Sequence, residues 1–274
     1  MGTDNNKILI NPEEFLRKVF SSSILITITK EDINNLLLKH IKGGNDLTNK
    51  KNLEINNHIY SKIVDDIISF NYLELSNDKL RKKKEEDFED KKIIKSFLEG
   101  LFPFINYNNS TNCLIFKLLM CPFILKSTML FDEKCEILYE YIKCVNFNEK
   151  DVNLLNEDIK YTSFCETFKN YLEIILSGYT KVLSETLDSD NYEKLKEQFN
   201  ENLINLFNPK NIIEYYTKII DDLNDVKDSK KDENSENEKV NLFSFKQLCE
   251  KNPHIIDYFN LRDDFIKFAI NKRK

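Results

Sequence analysis

Phe131-Asp-Glu-Lys-Cys-Glu-Ile-Leu-Tyr-Glu-Tyr-Ile142 decides the fold class. Its apolar residues Phe131, Cys135, Leu138 and Ile142 recur at three- and four-residue steps, and charged residues fill the gaps, which is the period of a helix buried along one face. The same stripe recurs on both sides, in Ile59, Ile63, Ile67 and Phe70 and in Tyr192, Leu195, Phe199, Leu203 and Leu206. Alternating, strand-like runs are scarce. Pro12, Pro209 and Pro253 each follow an Asn, a common lead-in to a first helical turn. The expectation is an all-α protein with very short β-bridges at most.

The 274 residues are enough for one large domain or two small ones, since single cores stop growing at about 250 to 300 residues. A hydrophobic fraction of 41% with 20 Phe and 12 Tyr supplies a core. The net charge of -6, from 46 acids and 40 bases spread along the chain, lacks the one-sided basic excess that binds phosphate backbones, so nucleic acid is not an expected partner. There is no charged-then-apolar leader and no apolar run of roughly 18 residues. A cytoplasmic protein with no membrane span is therefore expected. Met1-Gly2-Thr3-Asp4-Asn5-Asn6 has Asn6 where a myristoylation motif carries Ser or Thr.

Composition also marks connections. Residues 76–90 and 224–239 are dense in charge and read as solvated, the second as a disordered insertion. Gly43 and Gly44 open a third connection. The expected organisation is an N-terminal helical part over 1–75, a charged linker over 76–90, a second unit over 91–130, a C-terminal lobe over 131–260 and an amphipathic tail over 261–274. That tail either folds back into a groove or is a last core helix.

Cys113, Cys121, Cys135, Cys144, Cys165 and Cys249 sit among apolar residues without a CxxC pair and read as reduced core residues. His40, His58 and His254 are separated along the chain, with no triad around them. The adjacent acids Asp65-Asp66 and Asp221-Asp222 point apart on a helix. Five glycines form no phosphate-cradling loop. No catalytic residue, cofactor or metal site is expected.

One short pattern repeats: an apolar residue, three mostly polar positions, one further residue and an apolar position that opens a helix. It reads Ile10-Asn-Pro-Glu-Glu14-Phe15, Ile28-Thr-Lys-Glu-Asp32-Ile33, Ile159-Lys-Tyr-Thr-Ser163-Phe164 and Val240-Asn-Leu-Phe-Ser244-Phe245, with a weaker copy at Cys113-Leu-Ile-Phe-Lys117-Leu118. Any amphipathic helix with a cap and a hydrophobic staple can carry such a hexapeptide. The repetition resembles the second half of an EF-hand. In that family the eighth loop residue bridges to a paired loop and the twelfth gives a bidentate carboxylate. Calcium takes oxygen ligands from loop positions 1, 3, 5, 7, 9 and 12. The best-matching loops, Ser21 to Asp32 and Asn106 to Lys117, lack most of them, and the last two units end in Ser163 and Ser244. Phe245 to Phe259 and the Leu125-to-Asp132 linker are similar to the corresponding parts of neuronal-calcium-sensor, calcineurin-B-like and calaxin-type proteins.

The resemblance implies a two-lobed array of helix-loop-helix pairs. The function it implies is a non-catalytic, calcium-independent adaptor that holds an amphipathic helix of a larger cytoskeletal or axonemal complex. Phe123, Phe131, Tyr141, Phe164, Phe168 and Phe245 are the candidates for lining its groove. The alternatives are a calcium-responsive sensor with irregular loops and a helical enzyme built around a histidine and a carboxylate.

Overall fold

The computed structural model describes residues 17, 25, 28–41, 55–69, 84–106, 112–125, 128–146, 158–186, 197, 205–227 and 239–272. In chain order these hold α1 (Lys30–His40), α2 (Asn57–Ser69), α3 (Lys84–Gly100), the single turn α4 (Phe102–Ile105), α5 (Asn112–Ile124), α6 (Phe131–Asn146), β1 (Ile159–Lys160) and α7 (Tyr161–Glu173). A π turn (Ile174–Gly178) leads on to α8 (Tyr179–Thr186), α9 (Pro209–Lys227), β2 (Lys239–Val240), α10 (Leu242–Lys251), a 3-10 turn (Pro253–Ile256) and α11 (Tyr258–Asn271). The fold is all-α, and its one sheet among the described residues is the two-residue pair β1–β2.

Helix starts follow local chemistry. Thr29 and Asp32 form a reciprocal capping box at α1, Asn241 accepts from the Ser244 amide at α10, and Asp257 accepts from the Asn260 amide at α11. Pro209 opens α9 behind Asn208, whose side chain accepts from the Asn211 amide, and Pro253 opens the 3-10 turn. Pro12 lies outside the described residues.

The apolar stripes become core. Ile63, Ile67, Cys135, Leu138 and Ile142 are buried, as is Leu206. Phe70 and the Tyr192-to-Leu203 part of the third stripe lie outside the described residues. Helix α5 is different, with apolar residues all round, and Leu118, Leu119, Met120, Cys121, Phe123 and Ile124 are all buried. It packs against α6, α1 and α4, so it is a central helix rather than a half-wet one.

Three differences from the sequence reading appear, and one alternative it left open is decided. Helix α3 starts at Lys84, taking up the second half of the stretch read as a charged linker, because Glu85, Glu86 and Asp87 favour a first helical turn. At the other charged stretch, α9 runs on to Lys227 and β2 begins at Lys239, which trims the expected insertion at both ends. The weaker repeat at 113–118 lies inside α5 and opens no helix. Finally, α11 starts at Tyr258 and buries Leu261, Phe265 and Ala269, so the expected tail is a last core helix.

The π turn has its own partner. A π turn leaves backbone carbonyls out of register with the α ladder. Arg262 of α11, 0% exposed, donates from Nη1 to the carbonyls of Ile175 at 3.5 Å and Leu176 at 3.3 Å and to Thr180 Oγ1 at 2.9 Å. Its guanidinium lies 4.3 Å from the centroid of Phe207. A buried charge is tolerable only with such compensation. On the opposite side of the turn a Cβ at Gly178 would stand 2.9 Å from Phe104 Cζ, so glycine lets α4 approach the backbone.

Candidate functional site

Two copies of the repeated hexapeptide, those at 159–164 and 240–245, meet. Ile159 pairs with Val240 and Lys160 with Lys239 in an antiparallel bridge, and each strand runs at once into a helix, α7 or α10. Alternation along the bridge puts Ile159 and Val240 inside and Lys160 and Lys239 outside. Around it α6, α7, α9 and α10 pack together, α6 against α7 and α10, and α9 against α10 and α7. Each helix entering a bridge strand therefore touches both helices leaving it.

Aromatic rings fill the space beneath. Phe164 and Phe245, the residues after Ser163 and Ser244, meet edge to face at 5.8 Å, and Phe168 stacks on Phe164 at 5.7 Å. Tyr139 of α6 lies 5.7 Å from Phe245 and donates its hydroxyl to the Val240 carbonyl at 2.8 Å. Burial pushes the Tyr139 phenol up to about 12, so it stays a donor. The bridge is thus clamped from behind by a neutral phenol.

Of the six groove candidates, Phe164, Phe168 and Phe245 are wholly buried where the bridge brings the starts of α7 and α10 together, and Phe123 of α5 and Tyr141 of α6 are nearly so. Phe131 alone of the six is exposed, at 36%, beside Leu130 at 70%.

The fifth residues of two of the hexapeptides, Ser244 and Asp32, are engaged in helix caps. Ser244 donates both its amide, at 2.8 Å, and its hydroxyl, at 3.0 Å, to the Asn241 carboxamide. Asp32 accepts from the Thr29 amide at 2.8 Å and hydroxyl at 2.6 Å. Among the described residues no group of three or more His, Cys, Asp and Glu lies close enough to hold a metal ion. Half of the Ser21-to-Asp32 loop and the middle of the Asn106-to-Lys117 loop lie outside the described residues. Lys117 itself lines a shallow dent with Lys30, Asn34, Glu140 and Tyr141, which has room for about one water; Lys30 is ion-paired to Glu140 there.

The histidines separate into three situations. His40 Nε2 lies 2.6 Å from Asp66 Oδ2, an oxygen shared with Lys39 Nζ at 2.6 Å. Partial burial works to raise the Asp66 carboxyl, but the hydrogen bonds from Lys39 and His40 outweigh it and hold the group below its ordinary value. His58 is exposed on α2. His254 is half-buried with its Nε2 3.6 Å from Asp264 Oδ2, the oxygen that Tyr215 bonds at 2.9 Å. Burial lowers the His254 pKa, with Lys218 acting in the same direction and Asp264 and Asp222 opposing.

The sequence reading missed Arg262 and its bonds to the π turn. No signal within a single helix marks it, because its partners are remote in the chain. Among the described residues no helix is long and apolar enough to cross a membrane. Comparison of the chain with family models, curated proteins and solved structures found no match.

Proposed function

We propose that the chain is a non-catalytic, calcium-independent adaptor of EF-hand-like build that holds an amphipathic helix of a larger protein assembly. The observation that carries this reading is the bridge itself. Two helix-strand-helix units, α6–β1–α7 and α9–β2–α10, pair through one antiparallel contact at Ile159 and Val240, the positions where paired EF-hand loops join. Calcium independence rests on Ser163 and Ser244 at the positions of the chelating acid, and on the use of Ser244 as a partner of the helix cap.

The docking surface of this proposal is smaller than the six aromatics implied. Leu130 and Phe131 are exposed side by side where α6 begins, and they are the apolar pair on which this proposal places the partner. A partner helix that buries them would gain the most from an aromatic anchor, since a few central residues carry most of an interface's energy. A cytoskeletal or axonemal setting belongs to the same proposal.

The test is a crosslinking pull-down of the full chain from its native cells, with and without a calcium chelator, read by mass spectrometry. Stoichiometric partners that survive the chelator and weaken in the Leu130→Asp, Phe131→Asp double variant support the adaptor. Loss of partners in chelator gives the calcium-sensor reading its first support, and recovery of none overturns the adaptor. The enzyme reading would then turn on His254, the histidine that shares Asp264 with a tyrosine.

A further inference from the structure

Lys160 and Lys239 stand directly opposite each other on the outer face of the β1–β2 bridge, while Ile159 and Val240 fill the inner one. Like charges so placed repel across the strands and weaken the pairing they sit on. Other surface lysines are matched, Lys246 with Asp132 and Glu136, Lys95 with Asp65 and Lys39 with Asp66. Among the described residues no carboxylate pairs with Lys160 or Lys239, and Asp158, the next outward residue of β1's own segment, makes no ion pair with either.

Two further features share this face. The first amides of α7 meet no side-chain cap at Lys160, whereas Asn241 accepts from the Ser244 amide at the start of α10. Uncapped amides add positive potential beside Lys160. Phe243, in the first turn of α10, is 65% exposed, and four residues of chain from Lys239 set their Cα atoms within about 14 Å of each other. The complement of two adjoining cations beside an exposed ring is an anionic, partly apolar surface.

We propose that the outer face of the bridge binds an acidic segment of a partner protein, whose carboxylates meet Lys160 and Lys239 while an apolar side chain covers Phe243. The carboxylates relieve the repulsion across the bridge, so binding removes a cost already present in the free chain. Cover over Phe243 excludes water from the ion pairs and strengthens them. An anionic bilayer is the poorer match, because two lysines on a chain of net charge -6 give little attraction to a continuous negative surface. Leu130 and Phe131 lie about two helical turns before Tyr139, the residue of α6 that reaches the bridge, so this surface does not depend on a helix docking there.

The experiment is a fluorescence anisotropy titration of a short labelled peptide of repeating Glu-Glu-Leu with the folded full-length chain, and of its Gln-Gln-Leu counterpart as the neutral control. The expected result is saturable binding of the acidic peptide alone, weakened by salt and roughly tenfold weaker in the Lys160→Gln, Lys239→Gln double variant. Phe243→Ser should also lower the affinity, and Leu130→Asp with Phe131→Asp should leave it unchanged, which separates this surface from the adaptor reading. Lys239→Glu sets opposite charges across the bridge and should raise the thermal midpoint while abolishing binding; the first effect without the second would overturn the proposal. Equal binding of the two peptides would overturn it as well. Binding to phosphatidylserine vesicles in preference to the acidic peptide would assign the face to a membrane instead.

Discussion

The helix pair α1–α2 and the bridged unit built on α6, α7, α9 and α10 are held by different forces. In the first, Ile33, Leu37, Ile63 and Val64 pack one apolar face against another, and the remaining ties are the Thr29–Asp32 cap and the His40–Lys39–Asp66 cluster near the surface. In the second, a backbone bridge fixes two helix starts, a buried phenol clamps the bridge, and stacked rings fill the space below. Exposed ion pairs contribute about 0–1 kcal/mol each. Buried aromatics contribute several times that. The comparison teaches that the repeated hexapeptide gains its structural weight from pairing, and that an unpaired copy is only a helix cap.

Truncating Phe245 is the strongest way to break the contrast. Phe245→Ala removes a wholly buried ring that touches Tyr139 and Phe164, and the expected loss is about 3–5 kcal/mol in chemical denaturation. A loss below about 1 kcal/mol would mean that the bridged unit is not the stable half.

Next comes Gly100→Ala, on the face of α3 that meets α8. The new methyl would stand 2.5 Å from Val182 Cγ1, and overpacking of this kind costs about 1–3 kcal/mol. Val182→Ala in the same chain should recover part of that loss, and a double-mutant cycle with no coupling would show that the two helices do not meet there.

Thr29→Ala, which removes the capping box of α1, should cost about 1 kcal/mol. Hydrogen exchange should localise the effect to amides at the start of Lys30–His40 and leave those of Ile159 and Val240 as they were. Equal acceleration in both regions would erase the distinction between them.

Acidification sharpens the comparison with the smallest effects. His254 is held below the ordinary histidine value of 6.5, so the folded chain binds that proton more weakly than the unfolded one. Its stabilising contribution is full above pH 6.5 and shrinks as pH falls from there towards the folded value. Asp66 is held below the ordinary 3.8, so its contribution is full above pH 3.8 and disappears only as pH falls through the lowered value. Denaturation midpoints across pH should show His254→Gln flattening the upper slope and Asp66→Asn the lower one. Unchanged slopes in both variants would exclude these groups as its source.

The sequence showed some of these features and hid others for physical reasons. The α6 stripe was legible because a half-buried helix writes its period in apolar residues. Ile159 and Val240 were legible as a repeated apolar position ahead of a helix start. The beginning of α3 was not, because Lys84 to Glu89 carries charge on almost every residue and shows no buried face. Phe164, Phe168 and Phe245 were assigned to a groove because aromatic residues on adjoining helices look alike whether they face a partner or one another. Arg262 reads as a surface charge in sequence, and only the carbonyls of the π turn explain its burial.

Residues 161 to 186 form one continuous rod through that π turn, and its two ends answer to different neighbours, α6 and α9 at the start and α3 at the finish. The turn holds one residue more than the α-helical turn it replaces. Loss of a single codon between 174 and 178 would close the bulge into an uninterrupted α-helix in which Val182 and Leu183 keep the face they now bury, whereas the same loss in the α-helical stretches on either side would turn everything beyond it by about 100°. A mutational library should therefore tolerate a one-residue in-frame deletion better within this turn than in its flanks.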